Sequence, residues 1–295
     1  MAQALYPPSR PLTVPEILDL GFEIFRNTIL KCLHYSVCAF IASQLMNIYA
    51  LARGRAPGHV DARNPAWWVL YALAILLSSF LWYAMLIRQH ALASGQPTAF
   101  LPEIRQVLQR LPAALGMGLI VFLGICALII PVAFAWGMTV RELTRPGALL
   151  QLPAAAVVVI LILMIPVVYL VVGVALASPA VVLDRLGPWQ SLRKGFNLAY
   201  GSWWRTIAIF AVAVVAIVVL YMAAMFVMGI VTGVLAVGGV RDATVMAALL
   251  LLGVGLAGTF AWPLMLAVLL ATYGELNVRR EGVDLSARIG RLAES

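Results

Sequence analysis

Charge is what this chain has least of. Only 11% of its 295 residues are Asp, Glu, Lys or Arg and 63% are hydrophobic, where a soluble globular domain carries about 25% charged residues. A water-soluble enzyme or binding domain is excluded. Cysteine is scarce as well: Cys32, Cys38 and Cys126 all fall in apolar stretches without CxxC spacing, which argues against a disulfide framework or a zinc site and leaves them as small apolar residues. Met1 to Arg10, MAQALYPPSR, lacks the basic start, apolar core and small-residue cleavage site of a secretory signal, so the first helix is expected to be retained.

Long apolar runs take the place of charge. Uncharged stretches cover 32–52, 64–87, 111–140, 146–183, 206–240 and 243–274, with lengths of 21, 24, 30, 38, 35 and 32 residues. Each meets the ~20 residues needed to cross ~30 Å of hydrocarbon at ~1.5 Å per residue. The expected architecture is all-α: a polytopic membrane protein of six transmembrane helices in a single integral membrane domain over 1–295. Lys and Arg divide 14 to 6 between the two sets of connectors, which places both termini in the cytoplasm by the positive-inside rule. The net charge of +8 is then mainly a topology signal. Nucleic-acid binding would require a basic patch interleaved with exposed aromatics on a soluble surface, so no nucleic-acid partner is expected.

Three short amphipathic stretches precede the first, third and fifth runs. In Pro15 to Asn27, Glu16, Asp19, Glu23 and Arg26 share one helical face, opposite Ile17, Leu18, Ile24 and Phe25. In Pro102 to Leu111, Ile104, Val107, Leu108 and Leu111 oppose Glu103, Arg105, Gln106, Gln109 and Arg110. In Pro188 to Trp203 the apolar set is Trp189, Leu192, Phe196, Ala199, Tyr200 and Trp203, with Gln190, Arg193, Lys194 and Asn197 facing away. Each opens with a proline, which suits a first helical turn. These three cytoplasmic-side amphipathic helices are expected to lie in the headgroup boundary, where Arg105, Arg110, Arg193 and Lys194 meet anionic lipid. Pro15-Glu16-Ile17 recurs as Pro102-Glu103-Ile104, and Gly21-Phe22 as Gly195-Phe196. The pattern suggests a threefold repeat of about 87 residues, with units near 14–98, 99–185 and 186–275 and a cytoplasmic tail at 276–295.

Few constellations could carry chemistry. Gly253, Gly255 and Gly258 fit GxGxxG, but inside an apolar run rather than between a strand and a helix. They are expected to let helices approach closely, as are Gly229 and Gly233. Ser36, Ser43, Gln44 and Asn47 lie near one stripe of the first run, either lining a polar path or bonding between helices. Lys31 and His34 stand within one turn near the cytoplasmic end of that run, Lys31 placed to snorkel to the headgroups and His34 to cap or bond a neighbour. Pro131, Pro166 and Pro263 fall inside runs and should kink their helices. No catalytic triad, paired carboxylate or metal-ligand cluster is recognisable, so neither a cofactor nor enzymatic activity is expected.

At the C-terminal end of the last run the chain reads Tyr273-Gly-Glu275-Leu276-Asn277-Val-Arg279-Arg280-Glu281-Gly282-Val-Asp284-Leu285. This resembles the closing motif, roughly Y-x-D-L-R-x-R-x-E-G-x-D-L, of bacterial membrane proteins related to the membrane domain of glycerophosphoryl diester phosphodiesterases. Glu16 to Arg26 and Leu183 to Trp204 also look like that family. Glu275 stands where the family tends to have Asp, and Asn277 where it tends to have Arg. The resemblance implies a multi-helix bacterial inner-membrane domain and does not imply phosphodiesterase activity here, because the soluble barrel of such fusions needs about 250 residues. Arg279, Arg280, Glu281 and Asp284 read as a mixed-charge helix start or turn below the membrane, docking on the basic helices or solvated as a tail. The expected function is a noncatalytic module organising lipids with anionic headgroups, protein partners or further copies of itself. The alternative is a transporter or channel for a small polar or amphiphilic solute.

Overall fold

The computed structural model describes residues 5–55, 58–143, 154–239 and 242–293, with side chains described except at 128–143, 154–165, 243–244 and 281–293. A backbone in hydrocarbon finds no water to bond and must satisfy its polar groups internally. Accordingly, every regular element among the described residues is a helix: α1 (Val14–Ser43), α2 (Leu45–Ala52), α3 (Pro65–Ala93), α4 (Phe100–Leu143), α5 (Ala154–Val182), α6 (Pro188–Ala199), α7 (Trp203–Val237) and α8 (Ala243–Ala293).

Among the described residues, four stretches are long and apolar enough to cross a membrane: Pro65–Ala93, Phe100–Ala127, Trp203–Val237 and Val245–Arg280. A fifth is the pair α1 and α2, bent by 44° and counted as one broken span. Among the described residues the protein is all-helical, with four or five helices long and apolar enough to cross a membrane. Within the run 146–183, α5 covers Ala154–Val182, and its part with described side chains, Pro166–Val182, is shorter than a full crossing. Pro131 lies outside the described side chains.

Helix starts follow the sequence chemistry. The Glu16 carboxylate accepts from the Thr13 backbone N–H (2.7 Å) and hydroxyl (2.8 Å), reaching back over the first turn of α1. Asn64 accepts from the Ala66 N–H at 3.0 Å ahead of α3, with Pro65 in its first turn. Only the third amphipathic stretch, however, forms a helix of its own, α6. Gly201, at φ +83°, turns the chain from α6 toward α7. The first two stretches run without a break into α1 and α4, the second across Pro112, which removes one backbone donor without ending the helix.

Two compact units divide the chain, residues 1–109 with 204–295, and residues 110–203. In the first, Ile17, Gly21, Ile24, Thr28, Cys32, Tyr35, Ala39 and Ala42 form one buried stripe along α1. Their steps of three and four residues hold a single face against α8 and α3. At Gly21 that face comes closest to α8, where an added Cβ would lie 3.0 Å from Val268 Cγ2 and 3.1 Å from its Cα. The amphipathic face of α1 is therefore spent on protein rather than on the headgroup boundary.

In the second unit α6 packs on α5. A Cβ at Gly195 would overlap the Gly173 carbonyl and Ala177. The buried face of α6 comprises Ser191, Leu192, Gly195, Leu198 and Ala199, while Trp189 and Tyr200, expected on its apolar face, are exposed. The helix has rotated to spend its small residues on α5, leaving those two aromatics outward.

Candidate functional site

Two carboxylates outside the apolar runs are buried. Glu103, placed by its spacing on the polar face of the second amphipathic stretch, is 5% exposed. Its Oε2 accepts from the Tyr35 hydroxyl at 2.9 Å and from Arg88 Nη1 at 3.1 Å, joining the first turn of α4 to α1 and to the last turns of α3. The Tyr35 ring stacks on Phe100, and the Arg88 guanidinium lies 5.7 Å from its centroid.

Glu275, near the far end of the apolar part of α8, is fully buried. Its Oε1 receives Arg205 Nη2 at 3.1 Å from the start of α7, and Arg279 Nε and Nη2 at 2.9 and 2.8 Å from one turn further along α8. Arg205 also donates to the Leu12 carbonyl, and Arg279 reaches the same oxygen at 3.5 Å. One carboxylate thus gathers α7, α8 and the segment before α1. Burying it alone would cost several kcal/mol, and only close, hydrogen-bonded cations offset that.

The break at Pro263 is filled from two other helices. Proline has no N–H, so the Thr259 carbonyl one turn back loses its intrahelical donor. The Ser36 hydroxyl donates to that oxygen at 2.6 Å, and Gln89 Nε2 donates to the Pro263 carbonyl at 2.9 Å. Ser178 does the same for Pro179, donating to the Ala175 carbonyl at 2.8 Å.

The polar stripe of the first run is accordingly divided. Ser36 bonds to α8, while the other three meet at the bend between α1 and α2. There Ser43 donates to the Phe40 carbonyl, Gln44 to Ser43, and Asn47 to Gln44, and Asn47 accepts from the Gly58 N–H. Each of the three is spent on its neighbours. Of the basic residues expected at headgroups, Arg105 and Arg193 are exposed. Arg110 donates to the Arg185 carbonyl at 3.1 Å and Lys194 pairs with Asp184. Arg279 belongs to the Glu275 cluster and Arg280 is exposed. The side chains of Glu281 and Asp284 lie outside the described residues; the backbone there is the interior of α8, which runs on to Ala293, so the segment is neither a helix start nor a turn. Among the described residues no group of three His, Cys, Asp or Glu could hold a metal.

No family model, curated protein or solved structure matches this chain. Function must therefore come from geometry.

One cavity bears on it. Between α7 and α8 lies an open cleft of about 300 Å³, walled by Leu220, Ala224 and Met228 on one side and Gly253, Leu256 and Phe260 on the other. No polar residue lines it. Gly253 is needed here, since a Cβ would overlap Met228, and a Cβ at Gly255 would overlap the Phe40 ring. Gly229 and Gly233 do not act this way: nothing lies within 4 Å of a Cβ at either, so the close approach expected of them is absent.

Sequence reasoning missed Arg88, Gln89, Glu103, Arg205 and Glu275. A signal existed for two of them: Glu275 is the first charge after its run and Arg205 the last before its own.

Proposed function

We propose that this chain is a noncatalytic membrane module that organises lipids, carried by the apolar cleft between α7 and α8. A path for a polar solute needs polar groups facing water along its length. The cleft offers none, and Ser43, Gln44 and Asn47 bond to one another and to the Phe40 carbonyl and Gly58 N–H beside them. Its volume sits at the lower end of the ~300–1,000 Å³ of small-molecule pockets, which suits one acyl chain better than a whole lipid. Filling it with Ala224→Trp is expected to lower the lipid co-purifying with the protein at least twofold, read by mass spectrometry, with helical content by circular dichroism unchanged. Unaltered lipid recovery, together with solute flux in proteoliposomes abolished by Gln44→Ala, would sink the reading.

The reading includes six spans, with α5 as the fourth, in a bacterial inner membrane, both termini cytoplasmic. The 14 to 6 distribution of Lys and Arg supports the orientation. A periplasmic reporter fused after Ser295 should be silent, and an active one would overturn the topology. It also includes a threefold repeat. In support, each amphipathic segment meets the end of an even-numbered span: α4 meets α3 through Glu103 and Arg88, α6 meets α5 through Gly195, and α1 meets α8 through Gly21. Kinship with the membrane domain of glycerophosphoryl diester phosphodiesterases belongs to the same proposal. Its support is that Tyr273 and Glu275 of the shared motif are among the most deeply buried side chains.

A further inference from the structure

We infer that Arg205 and Arg279, held in place by Glu275, form a binding site for the phosphate of an anionic phospholipid headgroup. This deepens the lipid-organising reading and rests on it. The cluster carries two cations against one anion. A guanidinium has five N–H donors, and both groups spend theirs on just two acceptors, Glu275 Oε1 and the Leu12 carbonyl. Among the described residues, Nε and Nη1 of Arg205 and Nη1 of Arg279 therefore have no protein partner. The arginine side chains are 21% and 42% exposed, whereas that of Glu275 is 1% exposed. An incoming anion meets the guanidinium edges and not the carboxylate behind them.

Position selects the source of the phosphate. Arg205 immediately precedes the apolar run 206–240, and Arg279 follows the run 243–274 by five residues. Both sit where the spans leave hydrocarbon. Trp204, 80% exposed next to Arg205, has the amphipathic ring favoured at that boundary. Planar forks fixed by a carboxylate match phosphate oxygens in pairs, which a flexible ammonium does not. A zwitterionic choline headgroup would bring its own cation toward the arginines, so the site should favour phosphatidylglycerol over phosphatidylcholine.

The test uses the full chain in nanodiscs of phosphatidylcholine with a minor share of phosphatidylglycerol, counting lipids retained by native mass spectrometry. Arg279→Gln should lower phosphatidylglycerol retention roughly tenfold, as for the loss of one charge-assisted hydrogen bond to phosphate, and leave phosphatidylcholine retention unchanged. Arg279→Lys should lose nearly as much despite keeping the charge, and Arg26→Gln, exposed on α1, should lose little. If Arg279→Gln fails to fold, the double variant Glu275→Gln with Arg279→Gln removes the cation without stranding the carboxylate and should show the same loss. Full retention by Arg279→Lys, or an equal loss in Arg26→Gln, would mean diffuse charge and overturn the site. Displacement of the lipid by inorganic phosphate, but not by chloride of equal ionic strength, would mean a free-anion site and overturn the headgroup assignment. A wild-type protein that retains no lipid of either kind would instead remove the lipid-organising reading itself.

Discussion

Glu275→Ala is expected to destabilise the protein by about 3–5 kcal/mol, as for a buried ion pair that loses one partner. Arg205 and Arg279 would then face each other across a cavity without the oxygen that receives both, at 3.1 and 2.8 Å. The tie between the segment before α1 and the start of α7 would also weaken, since Arg205 spans Glu275 and the Leu12 carbonyl. Glu275→Gln should cost less because the amide oxygen still accepts. Thermal unfolding in detergent, followed by tryptophan fluorescence, reads the difference. A loss below about 1 kcal/mol for the alanine variant, the range of an exposed ion pair, would show that the cluster is solvated rather than structural.

Gly21→Leu should also destabilise the protein, less strongly and for a different reason. A Cβ at this position would lie 3.1 Å from the Val268 Cα, and backbone cannot rotate away as a side chain can. The remaining leucine atoms would have to push α1 off α8, at an overpacking cost of about 1–3 kcal/mol, with the Ser36 bond to Thr259 loosened further along the same pair. Gly229→Leu on α7 is the matched control: nothing lies within 4 Å of its Cβ, and its stability should hold or rise by up to about 1 kcal/mol as a better helix former replaces glycine. Equal effects for the two would mean that helix propensity, not contact, governs both positions.

What the sequence made legible was whatever a single segment decides for itself. The helical class, the apolar extents of α3, α7 and α8, and the proline-led helix starts depend on local composition and could be read directly. Ser36 and Glu103 show the limit. Their partners, the Thr259 carbonyl and Arg88 with Tyr35, sit on other helices, and periodicity reports which residues share a face but not what that face meets. Glu103 looked solvent-facing because the charges beside it are; burial followed from α1 and α3 closing over it. The α1–α2 bend was likewise invisible, since no proline marks it, and the glycines that matter for contact, 21, 195, 253 and 255, could not be told from 229 and 233 without knowing which helix stands opposite.

The pairing of α1 with α8 also governs when the fold can exist. Ser36 and Thr259 are separated by 223 positions in the chain, so α1 waits for α8 before its buried stripe is fully covered. Closing so long a loop adds little to the final free energy, but it makes assembly slow and nonlocal. During synthesis, Thr28 and Ser36 would stand against lipid or the insertion machinery with their eventual neighbours not yet made. A ribosome that stalls before α8 would leave an inserted chain whose first helix leans on α3 alone, and quality control could tell it from a finished molecule by the uncovered remainder of that stripe, with the Ser36 hydroxyl lacking its Thr259 partner.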